Sequence, residues 1–430
     1  MKMTKINTAV TIGSVVFSAS AFAWDPVQDA LTTTAKLKLD FRMRYEEVDD
    51  ESPLKNADAT TLRSRLSYES GPYQDFTVGL EMDDVSRLSP GQRYNDGVDG
   101  KINYSPIIDP ENTEVNQAWI NYAGIPKTNA RFGRQRITLD NERFIGAAAF
   151  RQNEQTYDSF SLSNKSLPDT TIYFANITNV NTVFGPDNDK QGEYDTDTNL
   201  FNLKYEGIPG LTLSGYAYLM DYTDDENRAA FIYSNDTYGV RAAGKNSFGD
   251  ETLKYILEYA TQSDAYDNPV NYSADYYLGE ISYGNPAISG KIGYEVLGAD
   301  DNASLNATGV GVKQGFQTPL GSLHKFQGWA DQFLGGGSGN IATGIEDQYF
   351  GVEGLAYGLN WGVTYHQFDA YNSTAAVDNL GNEWDASVEK KWGNYSVNLS
   401  YAAYNADDSE NLPLKIYDKD KLWLTLQATF

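Results

Sequence analysis

Ala35-Lys36-Leu37-Lys38-Leu39-Asp40-Phe41-Arg42-Met43-Arg44-Tyr45-Glu46 alternates without a break. Every odd position is apolar or aromatic, and every even position is charged. A strand turns successive side chains to opposite faces. This segment therefore carries one apolar and one charged face over its whole length. Strands of soluble sheets usually run about 5–6 residues, whereas a tilted strand crossing a bilayer needs about 9–11. The pattern predicts a strand with lipid on one side and a polar interior on the other.

The same period recurs along the chain. Leu62, Leu66 and Tyr68 alternate with Arg63, Arg65 and Glu69, and Phe76, Val78, Leu80 and Met82 with Thr77, Gly79, Glu81 and Asp83. Strands are expected near 34–46, 60–69, 75–85, 114–122, 129–137, 154–163, 169–178, 197–206, 210–222, 235–245, 251–261, 274–284, 287–297, 345–354, 358–368, 382–391, 394–404 and 421–430. Eighteen is an even number, as a single-chain bacterial barrel requires. Short connections carry turn residues, such as Gly71-Pro72, Gly124-Ile125-Pro126 and Gly207-Ile208-Pro209-Gly210. Long ones, 86–113, 179–196, 223–234, 298–344 and 405–420, are polar and acidic. Short periplasmic turns and long extracellular loops have this arrangement. The fold expected is all-β: one closed transmembrane antiparallel barrel of the outer-membrane type. Closure leaves no unpaired edge in hydrocarbon, and the 31 Tyr suit the two interfacial girdles. A soluble β-sandwich or propeller fits such long alternation poorly.

Composition narrows the function. Among the 430 residues, 33 Lys and Arg face 59 Asp and Glu, a formal charge of -26 that argues against a nucleic-acid partner. There is no Cys, and only His324 and His366, which leaves little material for metal, redox or nucleophile chemistry. Residues 1–23 read as a signal peptide: Lys2 and Lys5, then a short apolar run, then Ala21-Phe22-Ala23. The expected mature barrel is 24–430, starting at Trp24 with a charge of -28 once Lys2 and Lys5 are gone. The last strand alternates Leu422, Leu424, Leu426, Ala428 and Phe430. Terminal Phe430 is the expected signal to the barrel assembly machinery. The destination is the outer membrane of a Gram-negative bacterium, beside lipid and lipopolysaccharide.

Two stretches are more specific. One holds Gly133-Arg134-Gln135-Arg136-Ile137, Arg143-Phe144-Ile145-Gly146, Phe150-Arg151-Gln152-Asn153 and Thr156-Tyr157-Asp158. The other holds Phe316-Gln317-Thr318-Pro319-Leu320 and His324-Lys325-Phe326-Gln327-Gly328-Trp329-Ala330-Asp331-Gln332-Phe333. Over roughly residues 30–430 the chain resembles the outer-membrane alginate export family. That resemblance implies an eighteen-stranded barrel, a monomer, and an electropositive lumen for an anionic polyuronate.

The candidate pore residues are basic. Arg131, Arg134, Arg136, Arg143 and Arg151 share a window whose only acids are Asp140 and Glu142. Lys36, Lys38, Arg42, Arg44, Arg63 and Arg65 lie on the polar face of the first two strands. That face must line the lumen, since a cation facing mid-bilayer lipid costs about 2–4 kcal/mol. Arginine suits carboxylates because its planar fork binds bidentately. The competing reading pairs these arginines with lumen acids such as Asp40, Glu46, Glu81 and Asp83. Parity near 130–137 is ambiguous, because Phe132 and Arg134 share a face and Gly133 could host a bulge. Loop 298–344, with Gly335-Gly336-Gly337-Ser338-Gly339, is expected to form a constriction through His324, Lys325, Phe326, Trp329 and Asp331. Trp329 is either a sugar-stacking platform or a loop-packing aromatic. Asp187 and Asp189 echo a calcium loop faintly, but Thr198 stands where its final Glu belongs. No metal or cofactor is expected.

The function expected is passive passage of anionic saccharides or other organic anions. Other readings are a general or small-solute porin, a structural or adhesive barrel, and a barrel enzyme. The last lacks a recognisable Ser or Asp partner for either histidine.

Overall fold

The structure is a computed structural model, described over residues 26–89, 91–223, 228–334, 342–374, 377–407 and 416–430. The expected leader 1–23, Trp24 and the run 335–339 lie outside the described residues. Eighteen strands form one sheet. They are β1 Lys36–Asp50, β2 Ala57–Glu69, β3 Phe76–Arg87, β4 Asn112–Tyr122, β5 Thr128–Gln135, β6 Thr156–Asn164, β7 Thr170–Asn181, β8 Glu193–Ile208 and β9 Leu211–Met220, then β10 Asn235–Phe248, β11 Glu251–Asp264, β12 Ser273–Asn285, β13 Ile288–Leu297, β14 Ile345–Ala356, β15 Leu359–Thr374, β16 Val377–Trp392, β17 Tyr395–Asn405 and β18 Lys419–Thr429. Each pairs antiparallel with the next, and β18 returns to β1, with Asp40 opposite Thr429 and Asp50 opposite Lys419. The eighteen expected strands are all present, and the observed ones often run longer.

The usual inside-outside rule is inverted. Leu37, Leu39 and Phe41 are exposed, while Asp40, Arg42, Arg44 and Glu46 are buried. The apolar band is turned outward for hydrocarbon, and the charges are turned into the bore. Aromatics rim both ends of the band. At the long-loop end, Tyr45 donates to Glu47 at 3.0 Å, Tyr259 to Asp275 at 3.0 Å and Tyr401 to Asp420 at 2.7 Å. At the other end Phe76 packs on Tyr122, and Phe430 on Tyr395. The main chain of Phe430 exchanges two hydrogen bonds with Leu39, at 2.9 and 2.8 Å, and so extends the β1–β18 seam. One short helix, α1 Pro26–Thr32, precedes the barrel. It hooks the β2–β3 turn, where Gly71 N donates to Ala30 O and Tyr68 donates to Leu31 O, each at 2.7 Å.

Gly133, which could have hosted a bulge, hosts none. Register shifts between Glu81 and Met82 on the β3–β4 ladder, which leaves Asn116 as the extra residue. The β4–β5 ladder stays regular through Gly133. Gly133 nonetheless has φ of 116°, and a Cβ there would meet Ala118 O at 2.3 Å.

Candidate functional site: a lumen filled by two loops

The bore is crossed by loop 136–155. It leaves the wall where Arg136 N donates to Gln117 at 3.1 Å. It reaches β8 and β9 through Asp140, which accepts from Asn202 at 2.8 Å and Ser214 at 2.9 Å. It touches β13 through Arg143, 2.9 Å from Glu295, and returns to β1 and β2 at Ala149–Gln152. Residues 316–333 of the second loop pack against it. Gly146 N donates to Leu320 O at 2.8 Å, Ser322 donates to Glu142 at 2.6 Å, and Ala330 N reaches Glu383 on β16 at 2.7 Å. Phe144 sits among Tyr216, Tyr276 and Phe316, with ring centroids 5.2–5.8 Å apart. The apolar core of this protein is therefore inside the bore, between two loops and inward-facing aromatics.

The arginines of the first two strands do face inward, but they are engaged. Arg63 donates to Asp40 at 2.7 Å. Arg65 holds Asp83 bidentately at 2.7 and 2.5 Å and Glu154 at 2.6 Å. Arg136 joins Glu154 and lies 2.9 Å from Glu81. Among the described residues Arg42 and Arg44 have no carboxylate within ion-pair distance, and they bind the loop instead. Arg42 donates to Gln152 and to Ala149 O, each at 2.9 Å, and also to Arg151 O. Arg44 donates to Phe150 O at 2.6 Å. Arg151 pairs with Glu46 at 3.0 Å. Burial would raise the Glu154 carboxyl, but Arg65 and Arg136 outweigh it and hold it down at about 2.

Arg134 does not belong to the lumen. It shares its face with Phe132, which is 65% exposed, and pairs with Asp158 at 2.8 Å near the long-loop end of the outer wall. With no bulge at Gly133, parity places it outside, and the lumen role expected for it is corrected on that ground. Lys36 and Lys38 line the short-turn end, with Lys36 3.2 Å from Glu69.

The residues expected to form a constriction, His324 to Asp331 of the second loop, pack inside the bore, and their aromatics take packing roles. His324 stacks on Phe150 at 3.4 Å and meets Asp331 at 2.7 Å. Asp331 is also held by Lys421 at 2.8 Å and Arg151 at 3.4 Å. Burial lowers the His324 imidazole below its usual value despite Asp331. Phe326 lies under the Arg143 guanidinium at 4.6 Å, Lys325 pairs with Glu142, and Trp329 packs against the apolar core. His366 sits in the wall between Asp347 at 2.9 Å and Asp385 at 3.6 Å.

Sequence reasoning missed three cations, Lys245, Lys254 and Lys291. They join the expected Lys38 on the inward faces of β10, β11, β13 and β1 at the short-turn end. Among the described residues none of the four has a carboxylate within ion-pair distance, although Glu206 and Glu353 share that zone. Lys254 and Lys291 are the lone cations of their strands, and Lys245 shares β10 only with Arg241, so no cluster marks the three in the sequence. Their signal is position: an inward parity slot a few residues from a short turn.

The sequence profile of the alginate export family matches residues 34–302. The chain belongs to the alginate export family. It is an outer-membrane channel. No curated protein matches it. Solved barrels share the fold at low identity. OccAB2 of Acinetobacter baumannii is 18% identical with a TM-score of 0.69, over 93% of this chain and 99% of that one. OccAB4 of the same organism is 14% identical with a TM-score of 0.67, over 93% and 99%. OpdK of Pseudomonas aeruginosa, solved with vanillate, is 15% identical with a TM-score of 0.65, also over 93% and 99%.

Proposed function

We propose that this barrel passes organic anions, including carboxylated saccharides, by passive diffusion, as a monomer exported with a cleaved leader. The observation that carries the reading is the set of lysines free of ion pairs at the short-turn end, which outer-membrane barrels place in the periplasm. Low-dielectric walls around like charges focus the field and concentrate counter-ions. The engaged arginines above them act mainly as scaffold: they hold two loops in place and set the width of the bore. Binding along such a route must stay weak and multi-site, so that the solute leaves. OpdK was solved with vanillate, itself an organic anion, which agrees in kind with this reading.

The test is the reversal potential of the refolded barrel under a salt gradient. The wild type should prefer anions. Replacing Lys38, Lys245, Lys254 and Lys291 together with Ser should lower that preference. Cation preference in the wild type would refute the anion reading and leave a general porin.

A further inference from the structure

We infer that Arg131, stacked on Trp119, is a carboxylate-binding subsite at the periplasmic end of the lumen, the first fixed contact for an anion arriving from that side. This rests on the anion-channel reading and names the place and the chemistry within it.

Three observations converge. First, Arg131 points inward. Its ladder partners are Asn121 and Ser161, and the next residue, Phe132, is the one turned to lipid. Second, its guanidinium is held but not neutralised. The guanidinium carbon stands 3.9 Å from the centre of the Trp119 ring. The indole lies against the wall at Gly79, where a Cβ would come within 2.3 Å of its ring carbons. Only glycine lets the ring lie so close to the β3 main chain, so β3 backbone, indole and guanidinium form three layers. Third, the hydrogen-bonding capacity of Arg131 is open. Among the arginines whose side chains are described, Arg131 alone has neither a hydrogen bond nor an ion pair.

Stacking occupies the flat face of a guanidinium and leaves its N–H donors in the plane, where a carboxylate is bound bidentately. A side chain already ordered by its platform loses little further freedom on binding. The free lysines at the same end raise the local anion concentration without fixing a geometry, whereas Arg131 supplies one. The ligand class is a carboxylate on a small organic anion or a saccharide unit.

The test is block of chloride current through the full barrel in planar bilayers. Glucuronate is added from each side in turn, with neutral glucose as control, on wild type, R131Q, R131K and W119L. Folding of each variant is checked by heat-modifiable gel mobility. The subsite predicts block of the wild type by glucuronate from the periplasmic side and none by glucose. R131Q should raise the half-blocking concentration about tenfold, the size of losing one charge-assisted hydrogen-bond pair. R131K, which keeps the charge without the fork or the stack, should stay close to R131Q, and W119L should weaken block as well. Undiminished block in R131Q overturns the subsite alone. Full block in R131K also overturns it, because charge would then suffice. Absence of block in an otherwise conducting wild type overturns both the subsite and the anion reading beneath it.

Discussion

Replacing Glu154 with Ala should release loop 136–155 from the wall. Its carboxylate lies 2.6 Å from Arg65, joins Arg136, and is 3.8 Å from Arg63. Three guanidiniums would lose a shared counter-charge, with Asp83, Glu81 and Asp40 remaining. Removing one partner of a buried pair costs about 3–5 kcal/mol. Arg136 is 31% exposed, so solvent screens part of its share and the lower figure, about 3 kcal/mol, is expected. That shifts the balance between docked and undocked loop on the order of a hundredfold. Urea unfolding followed by tryptophan fluorescence should register the loss of stability, and single-channel recording should show larger or noisier currents. Glu154→Gln keeps an acceptor oxygen and should fall between wild type and Glu154→Ala. A stability change below about 0.5 kcal/mol, the range of ordinary surface substitutions, together with unaltered conductance, would refute the claim that this cluster docks the loop.

Other outcomes follow from the same geometry. The Glu154 carboxyl is held down at about 2 against an ordinary 4.5, so its stabilisation is full above pH 4.5 and lost as pH falls toward 2. Acid titration of channel noise should show loosening in that window, and Glu154→Gln should abolish that component. The depressed His324 imidazole has the same sign: its neutral form is favoured in the fold, so stability should begin to fall below about pH 6.5, and His324→Gln should remove that step from the unfolding profile. Replacing Arg42 and Arg44 together with Ser frees the carbonyls of Ala149, Phe150 and Arg151; conductance should rise while ion preference changes less than in the four-lysine variant. Deleting Phe430 removes two main-chain hydrogen bonds to Leu39, whereas Phe430→Ala keeps them; the deletion should give the lower yield of heat-modifiable folded barrel.

The wall was legible because its rule is local. Two-residue alternation and turn residues mark each strand within its own ten or so residues, and Phe41, Leu66 and Leu424 face outward as parity requires. The lumen was only partly legible, because its partners meet across strands. Nothing near Arg65 says that Asp83 and Glu154 will both reach it, and the choice between free and paired arginines stayed open until the register was known. Loop 136–155 gave a weaker signal than the glycine-rich one, being shorter and free of repeats. Its clue was the mixture of Phe144 and Ile145 with Gln152 and Glu154, apolar and polar groups that are all buried here. For Arg134, shared parity with Phe132 was visible, but only the regular β4–β5 ladder ruled out a bulge that would have turned it inward.

The two parts of this molecule also differ in contact order. The wall is built from hairpins between successive strands, apart from the single β1–β18 seam. The interior contacts join distant segments: Gln152 lies 110 residues from Arg42, and Asp331 lies 180 from Arg151. Closing such loops is entropically slow and gains nothing until both ends are in place. Local zippering of the wall should therefore finish before the interior fills. A newly inserted barrel would then start wide and wet and narrow as its loops dock, so conductance followed from the moment of insertion should decay to its final value.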